Sequence, residues 1–179
     1  MKKGQQTKTL LLLLVLYLSF SCNNEPTVFK QKILFEKHYT NYAWFYTDFG
    51  YLVDSMGYIR RFDIAKNHLN WNYPDSLGYI SREKMEQNLS HCDSIIAKLN
   101  SDTLSHYVGK IWGASKGKIT KPDMQMADFG EISYSAYIFD EKTNRYKEVL
   151  IKLYGDLMIN NNSSEAEEIY GWLNRIGQK

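Results

Sequence analysis

The chain has 179 residues, and its 22 basic and 20 acidic residues give a formal net charge of +2. Lys2, Lys3 and Lys8 supply that excess, since the chain without residues 1–21 carries 19 basic and 20 acidic residues. Nucleic-acid binding requires clustered Lys and Arg side chains, so this near-neutral chain gives no support to a nucleic-acid partner. The length suits one domain with a substantial core.

Residues 1–22 have the three parts of an export signal. Three lysines without any acid precede an unbroken apolar run at residues 10–18, and Ser19, Ser21 and Cys22 follow. The apolar run is well short of the ~20 residues that a helix needs to cross the hydrocarbon core. It also lacks the polar face of a core helix. We therefore predict a cleaved signal peptide and export of the chain.

The Ser21-Cys22 pair resembles the lipobox of bacterial lipoproteins, in which the signal is cut just before a cysteine that receives a diacylglyceryl group and an N-acyl chain. The family pattern places leucine three residues before that cysteine and a small residue two before, whereas this sequence has Ser19 and Phe20 there. The alternative is an ordinary secreted protein that is cut nearby.

A polar tether at 22–27 and a single domain at 28–179 are expected from the composition and length of the chain after the signal. The lipobox resemblance implies a signal peptide at 1–21. It also implies lipid attachment at Cys22 through acyl chains such as palmitate. The domain would then be held in the cell envelope on a bacterial membrane, facing the periplasm or the cell surface. Because each buried CH₂ contributes ~0.8 kcal/mol, two or three acyl chains would anchor it stably.

The first half of the domain has strand composition. Residues 28–38 and the aromatic-rich residues 39–53 are predicted as strands, and residues 58–64 are predicted to return antiparallel after a turn that ends at Gly57. Gly57 stands where a left-handed backbone is needed. Residues 67–78 hold Asn, Pro, Asp and Gly, which predicts a surface loop.

Three helices are predicted from apolar residues at helical spacing. The first begins at Ser81, the second and shorter one spans residues 104–112, and the third begins at Ser164 with Glu167 in the capping-box position. The apolar stripes are Met85, Leu89, Cys92, Ile96 and Leu99 in the first, Leu104, Val108, Ile111 and Trp112 in the second, and Ala166, Ile169, Leu173 and Ile176 in the third.

Residues 132–154 carry the clearest folding signal, because both halves alternate apolar and polar side chains. A four-residue loop at 141–144 turns both apolar faces to the same side. The resulting pairs are Ala136 with Val149, Tyr134 with Ile151, Ile132 with Leu153 and Asp140 with Arg145. All elements together predict an α+β fold, a twisted antiparallel sheet of four or five strands with about three helices packed on one face.

Catalytic and metal-binding motifs are weak in this sequence. Residues 81–84 match S-x-x-K, but S-D-N and K-T-G are missing, so Ser81 is better interpreted as a helix N-cap. Cys92, on an apolar stripe and without a disulfide partner, is interpreted as a small buried hydrophobe. Metal-ligand spacing is lacking among the four histidines, His38, His68, His91 and His106. We therefore predict no catalytic residue, no metal and no cofactor.

Aromatic residues between Tyr39 and Tyr73 give the best indication of a binding surface. A strand with large rings on both faces cannot bury all of them against one core, so some rings are expected to be exposed and to stack on a ligand. The alternative is that one face is core and the loop at 67–78 covers the other, and strand composition alone favours it. The predicted ligand-binding residues are Trp44, Tyr46, Trp71 and Tyr73.

Four tripeptides of the type Asp-Ser/Thr-aliphatic resemble the acceptor sites of one bacterial periplasmic O-glycosylation system. The resemblance implies glycan attachment at Ser55, Ser76 and Thr103, whereas Ser94 is predicted to lie inside a helix. The preference of Asp and Ser for turns and caps explains the same pattern without modification.

These observations favour a non-catalytic envelope lipoprotein that binds a glycan, a peptide or an envelope protein. Two alternatives stay open. One is a small hydrolase acting on envelope or dietary polymers, and the other is a structural or inhibitory subunit of an envelope complex. The acids available to the hydrolase are Asp48, Asp63, Asp128 and Glu131.

Overall fold

Residues 29–176, described by a computed structural model, form a nine-stranded antiparallel sheet with four helices. The strands are β1 (Ile33–Asn41), β2 (Thr47–Asp54), β3 (Tyr58–Asp63), β4 (Tyr79–Ser81), β5 (Ser94–Lys98), β6 (Asp123–Met124), β7 (Glu131–Asp140), β8 (Arg145–Gly155) and β9 (Leu157–Asn160). The helices are α1 (Ile64–Asn67), α2 (Arg82–Ser90), α3 (Ser101–Ala114) and α4 (Ser164–Ile176). The strand order is β5-β3-β2-β1-β7-β8-β9-β6, and β4 pairs with β8 beside this path.

The predicted signal peptide, the tether and Cys22 lie outside the described residues. No helix within residues 29–176 combines the length and the apolar composition that crossing a membrane requires.

Side chains on both faces of the sheet are buried. On one face, α3 and α4 cover a cluster that includes Tyr51 and Val53 of β2. On the opposite face, α1, α2 and the segment 68–78 cover a cluster that includes Leu52, the residue between those two. Alternation along a strand explains this division, because successive side chains point to opposite faces. We call the two sides the α3/α4 face and the α2 face.

The predicted arrangement of four or five strands with about three helices on one face is therefore wrong. Large side chains stand on both faces of β1, β2 and β7, so each face needs its own cover. Four of the nine strands, β4, β5, β6 and β9, have at most five residues each. Such short segments hold too few positions to show a period of two in the sequence.

The β7–β8 hairpin confirms half of the predicted pairing. The four-residue loop is present, and Ala136 pairs with Val149 as Asp140 pairs with Arg145. Beyond a bulge at Tyr134/Ser135, however, Tyr134 faces Lys152 rather than Ile151, and Ile132 faces Tyr154 rather than Leu153. A bulge adds one unpaired residue to one strand, and nothing in the alternation of either arm marks its position.

The helix predicted from Ser81 is shorter than the apolar stripe suggested. Ser81 caps it by accepting a hydrogen bond from the Lys84 amide (3.3 Å), as predicted, but the helix ends at Ser90. The segment Ser94–Lys98 instead forms an exposed edge strand that pairs with β3. The prediction of a helix around Ser94 is therefore wrong, because the β3 edge supplied backbone partners that the sequence pattern does not reveal.

Of three further local predictions, two are confirmed and one is displaced by a single residue. Gly57 has a φ of 81° in the turn between β2 and β3, as predicted, and the second predicted helix is confirmed as α3. At the start of α4, the N-cap is Ser163 rather than Ser164, since the Ala166 amide donates to the Ser163 Oγ (3.1 Å).

Gly50 lies where β1, β2 and β3 pack most closely. An alanine Cβ at this position would lie 2.1 Å from the Lys37 carbonyl oxygen and 2.7 Å from Phe62 Cζ. We expect Gly50→Ala to lower the free energy of unfolding by about 3 kcal/mol, because the backbone neighbour cannot move away without breaking the sheet. Urea unfolding of both proteins measures the difference.

Gly109→Ala is the matched control. Nothing lies within 4 Å of a Cβ at Gly109 in α3, so alanine should raise the free energy of unfolding by roughly 0.5–1 kcal/mol through helix propensity. Equal stability of Gly50→Ala and the original chain would contradict the close packing of these three strands.

Candidate functional site

Exposed aromatic rings gather at the end of the sheet where the chain passes from β1 to β2. Segment 42–46 makes this connection, and the side chain of Trp44 in it is 77% exposed. Tyr73, in the segment that covers the α2 face, lies beside them. We call this group the aromatic shelf; its members are Tyr42, Trp44, Phe45, Tyr46 and Tyr73, all exposed.

Two tyrosines of the aromatic shelf converge on one carboxylate, and a third stacks on one of them. The rings of Tyr42 and Tyr46 are stacked with centroids 5.3 Å apart. The hydroxyls of Tyr46 and Tyr73 both donate to Oδ2 of Asp48, at 2.9 and 3.2 Å. Asp48 lies on β2 and is almost fully buried, so it fixes two exposed rings to the rigid sheet.

His38 lies directly below the shelf and bridges two carboxylates. Its Nε2 is 2.6 Å from Oδ1 of Asp48, and its Nδ1 is 3.1 Å from Oε1 of Glu36. Glu36 and His38 share one face of β1 because they are two residues apart, and Asp48 joins them from β2. Only 4% of His38 is exposed.

The remaining contacts of Glu36 come from aromatic side chains. Trp71 donates from Nε1 to Oε1 of Glu36 at 3.2 Å, and the Tyr137 hydroxyl donates to Oε2. Trp71 also stacks on Phe62 at 4.0 Å, and the ring of Tyr73 stacks on His38 at 5.6 Å. These rings shield the charged groups from water and supply their hydrogen bonds.

Electrostatics favour a charged imidazole between charged carboxylates. Burial by itself would lower the pKa of His38, but hydrogen bonds and charge from Asp48 and Glu36 raise that pKa to about 9. Burial would likewise raise the pKa of Asp48, yet the hydrogen bond and charge of His38 lower it. At neutral pH, His38 is therefore an imidazolium held between Asp48 and Glu36.

The hydroxyls of Tyr46 and Tyr73 stay protonated. Burial, with the hydrogen bond and charge of Asp48, raises the pKa of Tyr46 to about 12, and burial with the same charge raises the pKa of Tyr73 as well. Each hydroxyl proton is directed at Asp48, which leaves the phenol oxygen lone pairs free to accept hydrogen bonds from a ligand. The exposed rings offer flat apolar surface next to these acceptors.

Of the four predicted ligand-binding residues, three belong to the aromatic shelf and one lies half-buried beneath it. Tyr46 and Tyr73 meet at Asp48, and Trp44 extends from the same connection between strands. Trp71 is half-buried under its contacts with Glu36 and Phe62, so it supports the site rather than presenting a ring. The segment 68–78 does cover part of the α2 face, which is the alternative that strand composition favoured.

Sequence reasoning missed Glu36, His38 and Asp48 as a group. The available signal was the spacing of Glu36 and His38, which puts both on one strand face beside an aromatic-rich segment. The pairing of β1 with β2 that brings Asp48 to them could not be inferred from the residues alone. Within residues 29–176, no three His, Cys, Asp or Glu side chains are arranged as a metal site.

The remaining predicted residues lie away from the shelf. Of the predicted glycan acceptors, Ser76 is exposed, and Ser55 and Thr103 are half-buried. Cys92 is half-buried beside Asn88, and burial raises the pKa of its thiol to about 12, which suits an unreactive side chain.

The His38 network makes stability depend on pH. His38 contributes fully below its ordinary pKa of 6.5 and loses that contribution as the pH rises through about 9, because folding raises its pKa. A pKa raised from 6.5 to about 9 corresponds to about 3 kcal/mol of stability. We expect urea unfolding to show a loss of this order between those pH values, and His38→Gln to lack it.

His106→Gln is the control, since His106 is exposed on α3 and its loss should leave the pH dependence unchanged. If His38→Gln does not fold, nitrogen NMR of the original chain tests the same point, because both imidazole nitrogens should stay protonated up to about pH 9. An imidazole that titrates near 6.5 would contradict the bridge.

No family model matches this chain, and no curated protein or solved structure matches it either.

Proposed function

We propose that this protein is an envelope lipoprotein whose domain binds a ligand through the aromatic shelf and does not act on it chemically. The observation that supports this function most directly is the group of five exposed aromatic side chains, two of which, Tyr46 and Tyr73, are hydrogen-bonded to the buried Asp48. Exposed apolar rings are costly in water and are typical of binding surfaces. Both nitrogens of His38 are already engaged and buried, which suits structural support better than proton transfer to a substrate.

A glycan is the ligand class that the shelf fits best. Sugar rings present an apolar face of C–H groups and an edge of hydroxyls. The apolar face can stack on Trp44 and Phe45, and the hydroxyls can donate to the phenol oxygens of Tyr46 and Tyr73. Because Tyr46 and Tyr73 are already held by Asp48, their part in binding would cost little conformational entropy.

The path of the chain supports presentation of the shelf away from the anchoring membrane. Cys22 is joined to Phe29 by a stretch of at most about 25 Å. The nine residues of β1 then lead from Ile33 to Asn41 over roughly 30 Å, and the shelf follows at that far end. A lipid on Cys22 would thus leave the shelf accessible to a soluble or wall-bound ligand.

The hydrolase alternative receives less support from the described acids. Asp48 is committed to His38, and Asp63 caps α1 by accepting from the Lys66 amide at 3.0 Å. Asp128 lies in an exposed loop, where its φ is 64°. Burial and the charge of Asp156 raise the pKa of Glu131.

A protein partner is the second candidate, and a specific surface favours it. The loop before β7 lies beside the end of β1, where the Tyr39 hydroxyl donates to the Phe129 carbonyl (3.1 Å). The rings of Phe129 and Tyr154 pack edge to face with centroids 6.2 Å apart, and Met126 is exposed in the same loop. Exposed apolar side chains that lie together are also typical of a subunit contact in an envelope complex.

Trp44→Ala should weaken glycan binding at least tenfold, because a central exposed ring commonly contributes more than 1.4 kcal/mol to a complex. The substitution should leave the fold intact, since Trp44 is 77% exposed. Binding to a glycan array and to a peptide array measures the effect and separates the two ligand classes.

Trp112→Ala is the matched control, because Trp112 on α3 is 63% exposed and lies outside the shelf. Loss of binding in Trp44→Ala with full binding in Trp112→Ala supports the shelf. Equal binding by both variants contradicts the proposal. Loss of binding in Phe129→Ala alone would assign the binding site to the surface around Phe129 instead.

Cys22→Ala should abolish acyl labelling and release the chain from the membrane fraction, because the proposed anchor is attached to that sulfur. Cys92→Ala should keep both label and fractionation, since Cys92 is half-buried in the domain. Labelled Cys22→Ala would disprove the anchor.

The intact mass of the native chain tests the predicted glycan acceptors Ser55, Ser76 and Thr103, since a mass of polypeptide plus lipid alone rejects O-glycans.

A further inference from the structure

Part of the α3/α4 face carries no helix. The two helices cover β7, β8, the first half of β1 and the part of the sheet around Val53 and Ile59, whereas the second half of β1 and the adjoining parts of β2, β3 and β5 leave a concave site of about 370 Å³. The side chains that matter in this trough are Lys37, Tyr39, Phe49, Arg61 and Ile96. Its volume lies within the usual range of small-molecule sites.

The end of α4 contacts two of the residues that line the trough. The Tyr51 hydroxyl donates to the Leu173 carbonyl, and Lys37 donates from Nζ to Oδ1 of Asn174 at 3.4 Å. These contacts join the helix end to the floor of the sheet. The opposite rim is the edge strand β5, whose residues are all exposed.

Two cations in the trough are weakly compensated. Within residues 29–176, Lys37 has no carboxylate oxygen within 4.0 Å of its Nζ. Arg61 reaches Oδ2 of Asp63 only at 3.9 Å, the outer limit of an ion pair. Burial lowers the pKa of Lys37, so contact with an anion would restore stabilisation that Lys37 has lost by leaving water.

The trough also has apolar walls. The rings of Tyr39 on β1 and Phe49 on β2 pack with their centroids 5.3 Å apart, and both lie next to the cations. Ile96 adds an exposed aliphatic side chain from β5. Flat apolar walls beside two positive charges match a molecule with a flat body and one anionic group.

We propose that this trough binds a small organic anion, a carboxylate on a flat apolar body, with the carboxylate between Lys37 and Arg61 and the body against Tyr39 and Phe49. The trough is separate from the aromatic shelf, because strand alternation puts Tyr39 and Phe49 on one face and His38 and Asp48 on the other. The two sites share only the β1–β2 hairpin that carries them.

Isothermal titration with 2-naphthoate tests the trough. The original chain should bind 2-naphthoate, and 2-naphthamide, which has the same ring but no charge, should bind at least tenfold more weakly. Arg61→Gln and Lys37→Met should each weaken 2-naphthoate binding at least tenfold. The Arg61 side chain is more than half exposed, so Arg61→Gln should fold even if Lys37→Met does not.

Lys121→Met is the control, because it removes the same charge from an exposed residue outside the trough. It should bind 2-naphthoate as the original chain does, as should Trp44→Ala, whose site lies on the shelf. Equal affinity for 2-naphthamide, equal affinity for inorganic phosphate, or unchanged binding by Arg61→Gln would overturn the proposal. No binding of 2-naphthoate at millimolar concentration would overturn it as well.

Discussion

The imidazolium of His38 between Glu36 and Asp48 is the interaction on which the candidate site depends. Three charged groups lie almost fully buried, and removing them from water would destabilise the fold unless each is paired and hydrogen-bonded. The structure meets that condition. Besides His38, Trp71 and Tyr137 donate hydrogen bonds to Glu36, and Tyr46 and Tyr73 donate hydrogen bonds to Asp48. The pair of carboxylates holds the proton on His38, and His38 links β1 to Asp48 on β2.

This network also explains how exposed rings can be rigid. Tyr46 and Tyr73 are anchored at their hydroxyls rather than through burial of their rings, so their faces remain in water while their positions are set by Asp48. A ligand that stacks on them would find the surface already ordered. The exposure of these rings to water is unfavourable in the free protein, and a ligand that covers the rings would remove this unfavourable contribution.

The β1–β2 hairpin gives the molecule two chemically different sides. Alternation places Glu36, His38 and Asp48 on the α2 face, and Lys37, Tyr39 and Phe49 on the α3/α4 face. One face therefore carries a net negative buried cluster beneath aromatic rings, and the other carries cations beside aromatic rings. Gly50, which has no side chain between Phe62 and the Lys37 backbone, allows the strands to approach closely enough for both.

Features set by neighbouring residues were predictable from the sequence alone. They include the hairpin loop at 141–144, the left-handed Gly57, the Ser81 cap and the helix α3, all of which depend on contacts within a few residues. The aromatic richness of residues 39–73 likewise pointed to a surface that could not be wholly buried.

Only the tertiary structure decided which residues meet. The bulge at Tyr134/Ser135, the edge strand β5, the cover on both faces and the union of Glu36, His38 and Asp48 all arise from pairing between distant segments. Local sequence determines which conformations and side-chain faces a segment can offer. Which of them is used depends on the backbone partner and the volume that the rest of the fold leaves beside it, and neither is encoded within a few residues of the segment.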